Sequence, residues 1–111
     1  MTKANDLDPC VTSGEVCDEL NITYRQLDYW CRSGLLEGMP KDTGKGVARL
    51  FTRRQVTIVR GAAQLIHAGF TPRAAARLVN VLELTGETTA TVWVNHLRID
   101  VTLDQPLAGA A

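Results

Sequence analysis

Apolar side chains recur at helical spacing in four stretches of the chain. The predicted helices cover residues 13–20, 24–33, 53–68 and 72–85. A threonine precedes each stretch, and its hydroxyl can accept a hydrogen bond from a free backbone N–H of the first turn. These threonines are Thr12, Thr23, Thr52 and Thr71. Glycines that can end a helix in a left-handed conformation follow three of the stretches, at Gly34, Gly69 and Gly86.

The first two helices are separated by three residues only, Asn21, Ile22 and Thr23. Two short helices joined by so short a turn form a helix-turn-helix, and we expect Ile22 to fix the corner in the core. Between the second and third helices, Leu35-Leu36 and residues 47–51 can pair as two strands around a glycine-rich tip. The pattern therefore predicts a basic two-stranded wing beside a helix-turn-helix.

The periodicity changes after Gly86, where branched apolar residues alternate with polar ones. We predict a β-hairpin of residues 89–94 and 97–103 that turns at Asn95-His96. An isolated hairpin is marginally stable in water. It must therefore pack on the third and fourth helices, or exchange strands with a second copy in a symmetric dimer. The sequence leaves both alternatives open.

These elements define the expected organisation, a mainly α fold with a small amount of β structure. Residues 11–86 form a winged helix-turn-helix of four helices, and residues 87–103 form the C-terminal hairpin, a possible dimerisation element. We expect residues 1–10 and 104–111 to be flexible, because they are short, polar or small, and lack periodicity.

Charge is distributed unevenly along a chain whose formal net charge is zero. Residues 1–21 carry a net charge of −4, residues 22–82 a net charge of +7, and residues 83–111 a net charge of −3. A basic middle between acidic ends is typical of a surface that binds phosphates, although a solvated surface of ion pairs would give the same totals.

Several classes of protein are disfavoured by the sequence. The three cysteines, Cys10, Cys17 and Cys31, lack the spacing of a zinc site, and we expect no metal and no cofactor. The two histidines have no partnered nucleophile, so we expect no enzyme. No apolar run is long enough to span a bilayer and no secretory signal is visible, so we expect no membrane contact and a cytoplasmic, nucleoid-associated location.

The second helix has the side chains that a recognition helix needs on its exposed first turns. Thr23, Tyr24, Arg25 and Asp28 are polar or aromatic, and the N-terminal end of such a helix enters the major groove. Arg25 can contact guanine in a bidentate manner or clamp a phosphate; alternatively, it pairs with Asp28 or Tyr29 on the surface. Tyr29 can bond to a phosphate, whereas Trp30 is expected in the core.

Residues 22–30, which read ITYRQLDYW, and Gly34-Leu35-Leu36 resemble the MerR family of bacterial regulators. That family typically reads V-S-x-R-T-L-R-Y-Y, then G-L-L, then an R-x-Y wing strand. The stretch Arg49-Leu50-Phe51 is similar to that wing strand, and the turn 69–71 is similar to the one before the family's last DNA-domain helix. The resemblance covers roughly residues 11–82.

The resemblance implies roles for the matching positions. Arg25 matches an arginine that contacts DNA, Tyr29 matches a tyrosine that touches the backbone, and Arg49 matches the wing arginine on the sugar-phosphate chain. Asp28 departs from the family, since it stands where an arginine is usual. The expected DNA-binding set is Thr23, Tyr24, Arg25, Asp28, Tyr29, Lys45, Arg49, Arg53 and Arg54.

Three functions are consistent with this sequence. The first is a transcriptional regulator that binds specific double-stranded DNA as a homodimer or a side-by-side oligomer. We expect it to act without a small-molecule effector, because the chain carries only a hairpin where the family usually has an effector domain. The second is an excisionase-like factor that bends DNA. The third is a winged-helix module that binds another protein, such as an antirepressor.

Overall fold

The computed structural model describes residues 8–40, 49–104 and 107, and within them the chain forms four helices and four short strands. The helices are α1 (Ser13–Leu20), α2 (Tyr24–Ser33), α3 (Arg53–His67) and α4 (Pro72–Thr85). The strands are β1 (Val11–Thr12), β2 (Leu50–Phe51), β3 (Thr89–Val94) and β4 (Leu97–Thr102). All four predicted helices are confirmed, and α3 ends one residue earlier than expected.

The helix ends follow from the capping residues. Thr12, Thr23 and Thr52 each accept a backbone N–H at the third helical position, and the Glu or Gln there reaches back to the threonine's own N–H. Two free donors are thereby satisfied at each helix start. Helices α2 and α4 end at Gly34 and Gly86, whose φ angles of 72° and 76° are left-handed.

The pairing of the strand before α3 differs from the prediction. We expected Leu50-Phe51 to pair with Leu35-Leu36, but β2 pairs antiparallel with β1, with Val11 opposite Phe51. Residues 35 and 36 belong to no strand; instead, the Leu35 carbonyl accepts a hydrogen bond of 2.6 Å from the Asn80 side chain of α4. The predicted wing tip, including Lys45, lies outside the described residues.

The predicted C-terminal hairpin is confirmed, with β3 and β4 in antiparallel register and a turn at Asn95-His96. Asn95 takes a φ of 58°, which asparagine tolerates better than most residues. One face of the hairpin packs on the helical core, where Val101 is buried and Val92 and Ile99 are half-buried. The hairpin therefore covers the helices of its own chain; strand exchange with a second copy stays a prediction.

Two described residues of the C-terminal segment 104–111 contact α3. Gln64 donates a hydrogen bond of 2.7 Å to the Asp104 carboxylate, and Leu107 packs against the helix. Leu107 is 1% exposed and packs against Gly61 of α3, where a Cβ atom would lie 2.6 Å from a Leu107 methyl carbon. The absence of a side chain at Gly61 thus makes room for Leu107. The flexibility of residues 104–111 stays a prediction. The burial of Leu107 was not expected from the sequence, because a single leucine leaves no periodic signal.

Candidate nucleic-acid interface

Helix α2 is held by its inner face, which leaves the outer face of its first turns open to solvent. Leu27 and Trp30 are fully buried and Ile22, in the turn before the helix, is 8% exposed, so the predicted corner is confirmed. Asn21 ends α1 with a left-handed φ of 55°. A three-residue connection between two anchored helices fixes the direction in which the first turn of α2 points.

The predicted contact residues at the start of α2 are accessible. Tyr24 is 59% exposed, Tyr29 is 39% exposed, and Arg25 is exposed. The two alternative surface pairings of Arg25, with Asp28 and with Tyr29, do not occur. No hydrogen bond or ion pair joins the Arg25 side chain to a residue within 8–40, 49–104 or 107. The guanidinium of Arg25 is therefore available for an anion or a base edge.

Asp28 and Arg49 form an ion pair that joins α2 to the residue before β2. The Arg49 Nη1 atom lies 3.3 Å from Asp28 Oδ1, and Asp28 Oδ2 lies 2.9 Å from Nε of Arg32. Arg49 is buried, with only 7% of its side chain exposed, and its Nε atom has no partner among the described residues. In this structure Arg49 thus faces a carboxylate of its own chain.

Arg53 and Arg54 at the start of α3 are each paired with a carboxylate. The Nη2 atom of Arg53 lies 3.5 Å from Oε2 of Glu19 in α1, and both side chains are about half exposed. Arg54 lies 2.9 Å from Glu83 of α4, in a depression whose lining also includes Glu37. Arg54 is consequently turned toward acidic neighbours, whereas Arg53 stays largely open to solvent.

Arg73 is a candidate that the sequence interpretation did not include. It lines one groove together with Arg25 and Tyr29, between the first turns of α2 and α4. The Thr71-Pro72 pair predicted the start of α4 and so placed Arg73 on its first turn. The proximity of that turn to α2 is a tertiary feature, and no local signal in the sequence indicates it.

Three further observations concern metal ligands, a buried thiol and membrane-spanning helices. No group of three His, Cys, Asp or Glu side chains within 8–40, 49–104 and 107 could hold a metal ion. Burial raises the pKa of the Cys31 thiol to about 11. No described helix is long and apolar enough to cross a bilayer.

Comparison with known proteins adds a family to this geometry. The family model for the MerR HTH family regulatory protein matches residues 11–82. This range includes β1, α1, α2, β2, α3 and most of α4. The chain is 33% identical over 54 residues to uncharacterized HTH-type transcriptional regulators of Mycobacterium bovis and Mycobacterium tuberculosis. The match covers 48% of this chain and 24% of each relative, and no solved structure matches. The chain belongs to the MerR HTH family of regulatory proteins.

Proposed function

We propose that this protein binds specific double-stranded DNA and regulates transcription, with α2 as the recognition helix. The observation that carries the proposal is the exposed first turn of α2, whose inner face is fixed by Leu27 and Trp30. A helix that reads base edges must present its first residues in a fixed direction, since base contacts are directional. Membership of a family of HTH regulators supports this function.

The side chains at this turn suit two kinds of contact. Arg25, free of any described partner, can donate two hydrogen bonds to guanine in the major groove. Tyr24 and Tyr29 offer exposed rings and hydroxyl groups that can lie against a sugar or donate to a phosphate. Arg25 is therefore proposed as the base contact, and the two tyrosines as contacts that fix the helix on the duplex.

The remaining predicted residues are proposed in different roles. Arg53, half exposed beside α1, is a candidate phosphate contact, because its ion pair of 3.5 Å with Glu19 is exposed and weak. Arg54 is held by Glu83, and its contact with DNA stays a prediction. The wing residue Lys45 also stays a prediction, since it lies outside the described residues.

Binding as a dimer or a side-by-side oligomer is part of the proposal, and the hairpin is its candidate interface. Trp93 and Leu97 near the hairpin turn are 65% and 64% exposed, although residues nearer its base pack on the protein's own core. A regulator with two-fold symmetry would bind two half-sites spaced by whole turns of the double helix.

The experiment that tests the function is to cross-link the protein in its host and sequence the DNA recovered with it. The comparison protein is the Arg25→Gln variant. It removes the positive charge and the paired N–H donors of the guanidinium group, but it keeps a helix-forming side chain. Sites enriched at promoters by the parent protein and lost in the variant would support the proposal. Recovery of tandem sites beside a recombination site would favour the DNA-bending factor. Equal recovery by both proteins, or no enrichment, would contradict DNA recognition by α2.

A further inference from the structure

The outer edge of β4 offers backbone groups to a further strand. Leu103 donates its N–H to the carbonyl oxygen of Thr88 over 2.8 Å, which fixes the phase of the hairpin ladder. Backbone groups alternate in direction along a strand, so the odd-numbered residues of β4 bond to β3 and the even-numbered ones point outward. No described residue bonds to the outward backbone groups of Arg98 and Asp100. Such an edge is a template for pairing with another strand.

A largely apolar groove of about 240 Å³ lies beside this edge. Its walls are residues 99–103 of the hairpin and, at the end of α3 and just after it, Gln64, Leu65, Ala68 and Phe70. Leu97 belongs to the face of β4 that includes the half-buried Ile99, yet Leu97 is 64% exposed. The same chain therefore carries an apolar groove and an exposed leucine at one edge of its hairpin.

We propose that the β4 strands of two copies of this chain pair antiparallel along this edge, about a two-fold axis at Ile99, and form one four-stranded sheet. No strand is exchanged, so each hairpin continues to cover the helices of its own chain. The proposal deepens the dimer of the proposed function, on which it rests, by giving the surface and the register of that dimer.

Charge complementarity selects the position of the axis near the middle of β4. An axis at Arg98 would place that guanidinium opposite its own copy, and an axis at Asp100 would do the same for the carboxylate. Like charges directly opposite each other destabilise a strand pair. An axis at Ile99 instead places Arg98 of each copy opposite Asp100 of the other, and the outward backbone groups of these two residues then bond to each other.

The two charged side chains are free to make this contact. Arg98 Nε lies 3.2 Å from Asp100 Oδ1 within the chain, but the two side chains are 60% and 51% exposed. In the pair of strands, two guanidinium groups and two carboxylates would alternate on the solvent face of the sheet. The resulting ion pairs are exposed, so they determine the register more than the affinity.

The same register matches the groove to the exposed leucine. With the axis at Ile99, Leu97 of one copy stands opposite Val101 of the other, and both side chains lie on the face of the sheet that meets the helices. Val101 lines the groove together with Leu65 and Phe70. Leu97 of the second copy is thereby placed at an apolar surface, which favours burial of both.

The free edge of β3 lacks this complementarity. Its outward residues, Thr89, Thr91 and Trp93, are uncharged, so no position of a two-fold axis at that edge pairs opposite charges. The β4 edge is therefore the one that specifies a register for a second copy.

The first test measures the mass of the full chain by sedimentation equilibrium between about 1 and 100 µM, the range of a small interface. The parent protein should change from monomer to dimer across this range. Arg98→Asp and Asp100→Arg each place like charges opposite each other twice, and each should raise the dimer Kd at least about tenfold. Neutral substitutions at these positions create no repulsion and should leave the dimer largely intact.

Rescue separates register from folding. A mixture of Arg98→Asp and Asp100→Arg proteins should form a heterodimer with about the parent Kd, because every opposed pair is again of opposite sign. The double variant Arg98→Asp/Asp100→Arg should form a homodimer for the same reason. An unfolded variant could do neither. Dimerisation of each single variant with the parent Kd, or absence of rescue between folded variants, would overturn the proposal.

Cysteine cross-linking tests the axis itself, in a Cys10→Ser background that removes an exposed thiol. Residues that face each other in a pair without hydrogen bonds have Cα atoms about 4.5 Å apart, within the range of a disulfide. Under a mild oxidant, Ile99→Cys should therefore form a covalent dimer at least about tenfold faster than the matched control Leu97→Cys. Exposure alone favours Leu97, so faster cross-linking of Leu97→Cys would overturn the register.

The outcomes distinguish this inference from the function on which it rests. A parent protein that stays monomeric at 100 µM would overturn the strand pairing, and its binding to duplex DNA as a monomer would leave recognition by α2 in place. A parent protein that dimerises as described but binds no duplex, including DNA recovered from the host, would support the pairing and overturn the proposed function.

Discussion

Arg49 and Asp28 form a largely buried ion pair beside the exposed first turn of α2, with 3.3 Å between Nη1 and Oδ1. The same carboxylate also binds Arg32, at 2.9 Å. One acidic side chain thus engages two guanidinium groups. In the free protein, the Asp28 carboxylate accepts from guanidinium donors that could otherwise bond to a DNA phosphate.

The first prediction concerns Asp28→Asn. We expect nonspecific duplex binding to become about 3- to 10-fold tighter, with a salt slope steeper by about 1, because a negative charge leaves the candidate interface. We also expect the free energy of unfolding to fall by about 1 to 3 kcal/mol, because the buried Arg49 loses its charged partner. A salt titration and a urea melt measure the two effects.

The matched control is Asp100→Asn, which makes the same charge change on the exposed hairpin. It should leave the salt slope as it is. Weaker binding by a folded Asp28→Asn protein would contradict this account. It would indicate that Asp28 holds Arg49 in the geometry that DNA requires.

The second prediction tests the anchoring of the tail. Leu107→Ala should lower the free energy of unfolding by about 2 to 3 kcal/mol, since Leu107 is 1% exposed and packs against Gly61. Leu97→Ala, at a side chain that is 64% exposed, should cost less than about 0.5 kcal/mol. Thermal or urea unfolding distinguishes them, and equal costs would mean that the tail does not stabilise the fold.

The third prediction concerns thiol reactivity. Burial raises the pKa of Cys31 to about 11, whereas Cys10 is exposed. Only the thiolate is nucleophilic, so alkylation at neutral pH should modify Cys10 rapidly and Cys31 only after unfolding. Mass spectrometry of peptides from the labelled protein measures both rates. Labelling of Cys31 as fast as that of Cys10 would show that α2 is not packed as described.

The fourth prediction follows from the same raised pKa. In the unfolded chain the Cys31 thiol loses its proton near its ordinary pKa of 9.0, but the folded protein retains the proton up to about pH 11. The folded state is therefore destabilised relative to the unfolded one as the pH rises through this range. Parent protein should lose more stability between pH 9 and pH 11 than Cys31→Ala. Parallel pH profiles of the two proteins would contradict the shift.

Local signals account for the part of the fold that was predicted from the sequence. The four threonine caps, the glycines at positions 34 and 86, and the Asn95-His96 turn are short-range features, and each one marks an observed element boundary. The predicted partner of β2 was wrong, because the observed partner is distant in the sequence. Strands of two residues carry no periodicity, and Val11 is 40 residues away from Phe51 in sequence.

The candidate interface likewise contains some features that the sequence predicts and others that it does not. The exposure of Tyr24 and Arg25 follows from the helical phase of α2, because the buried Leu27 and Trp30 define the opposite face. The Asp28–Arg49 pair and the approach of Arg73 to α2 depend on how separate elements pack. Sequence spacing alone contains no information about those two contacts.

The most direct test of DNA recognition by α2 is a salt titration of duplex binding with Arg25→Ala and, as control, Arg98→Ala. Both variants remove one exposed arginine, but Arg98 lies on the hairpin beside Asp100. We predict that log affinity for parent protein falls linearly with log salt concentration, that Arg25→Ala weakens binding at least about tenfold and lowers the slope by about 0.9, and that Arg98→Ala matches the parent. Binding by Arg25→Ala with the affinity and slope of the parent protein would contradict the claim that the first turn of α2 contacts DNA.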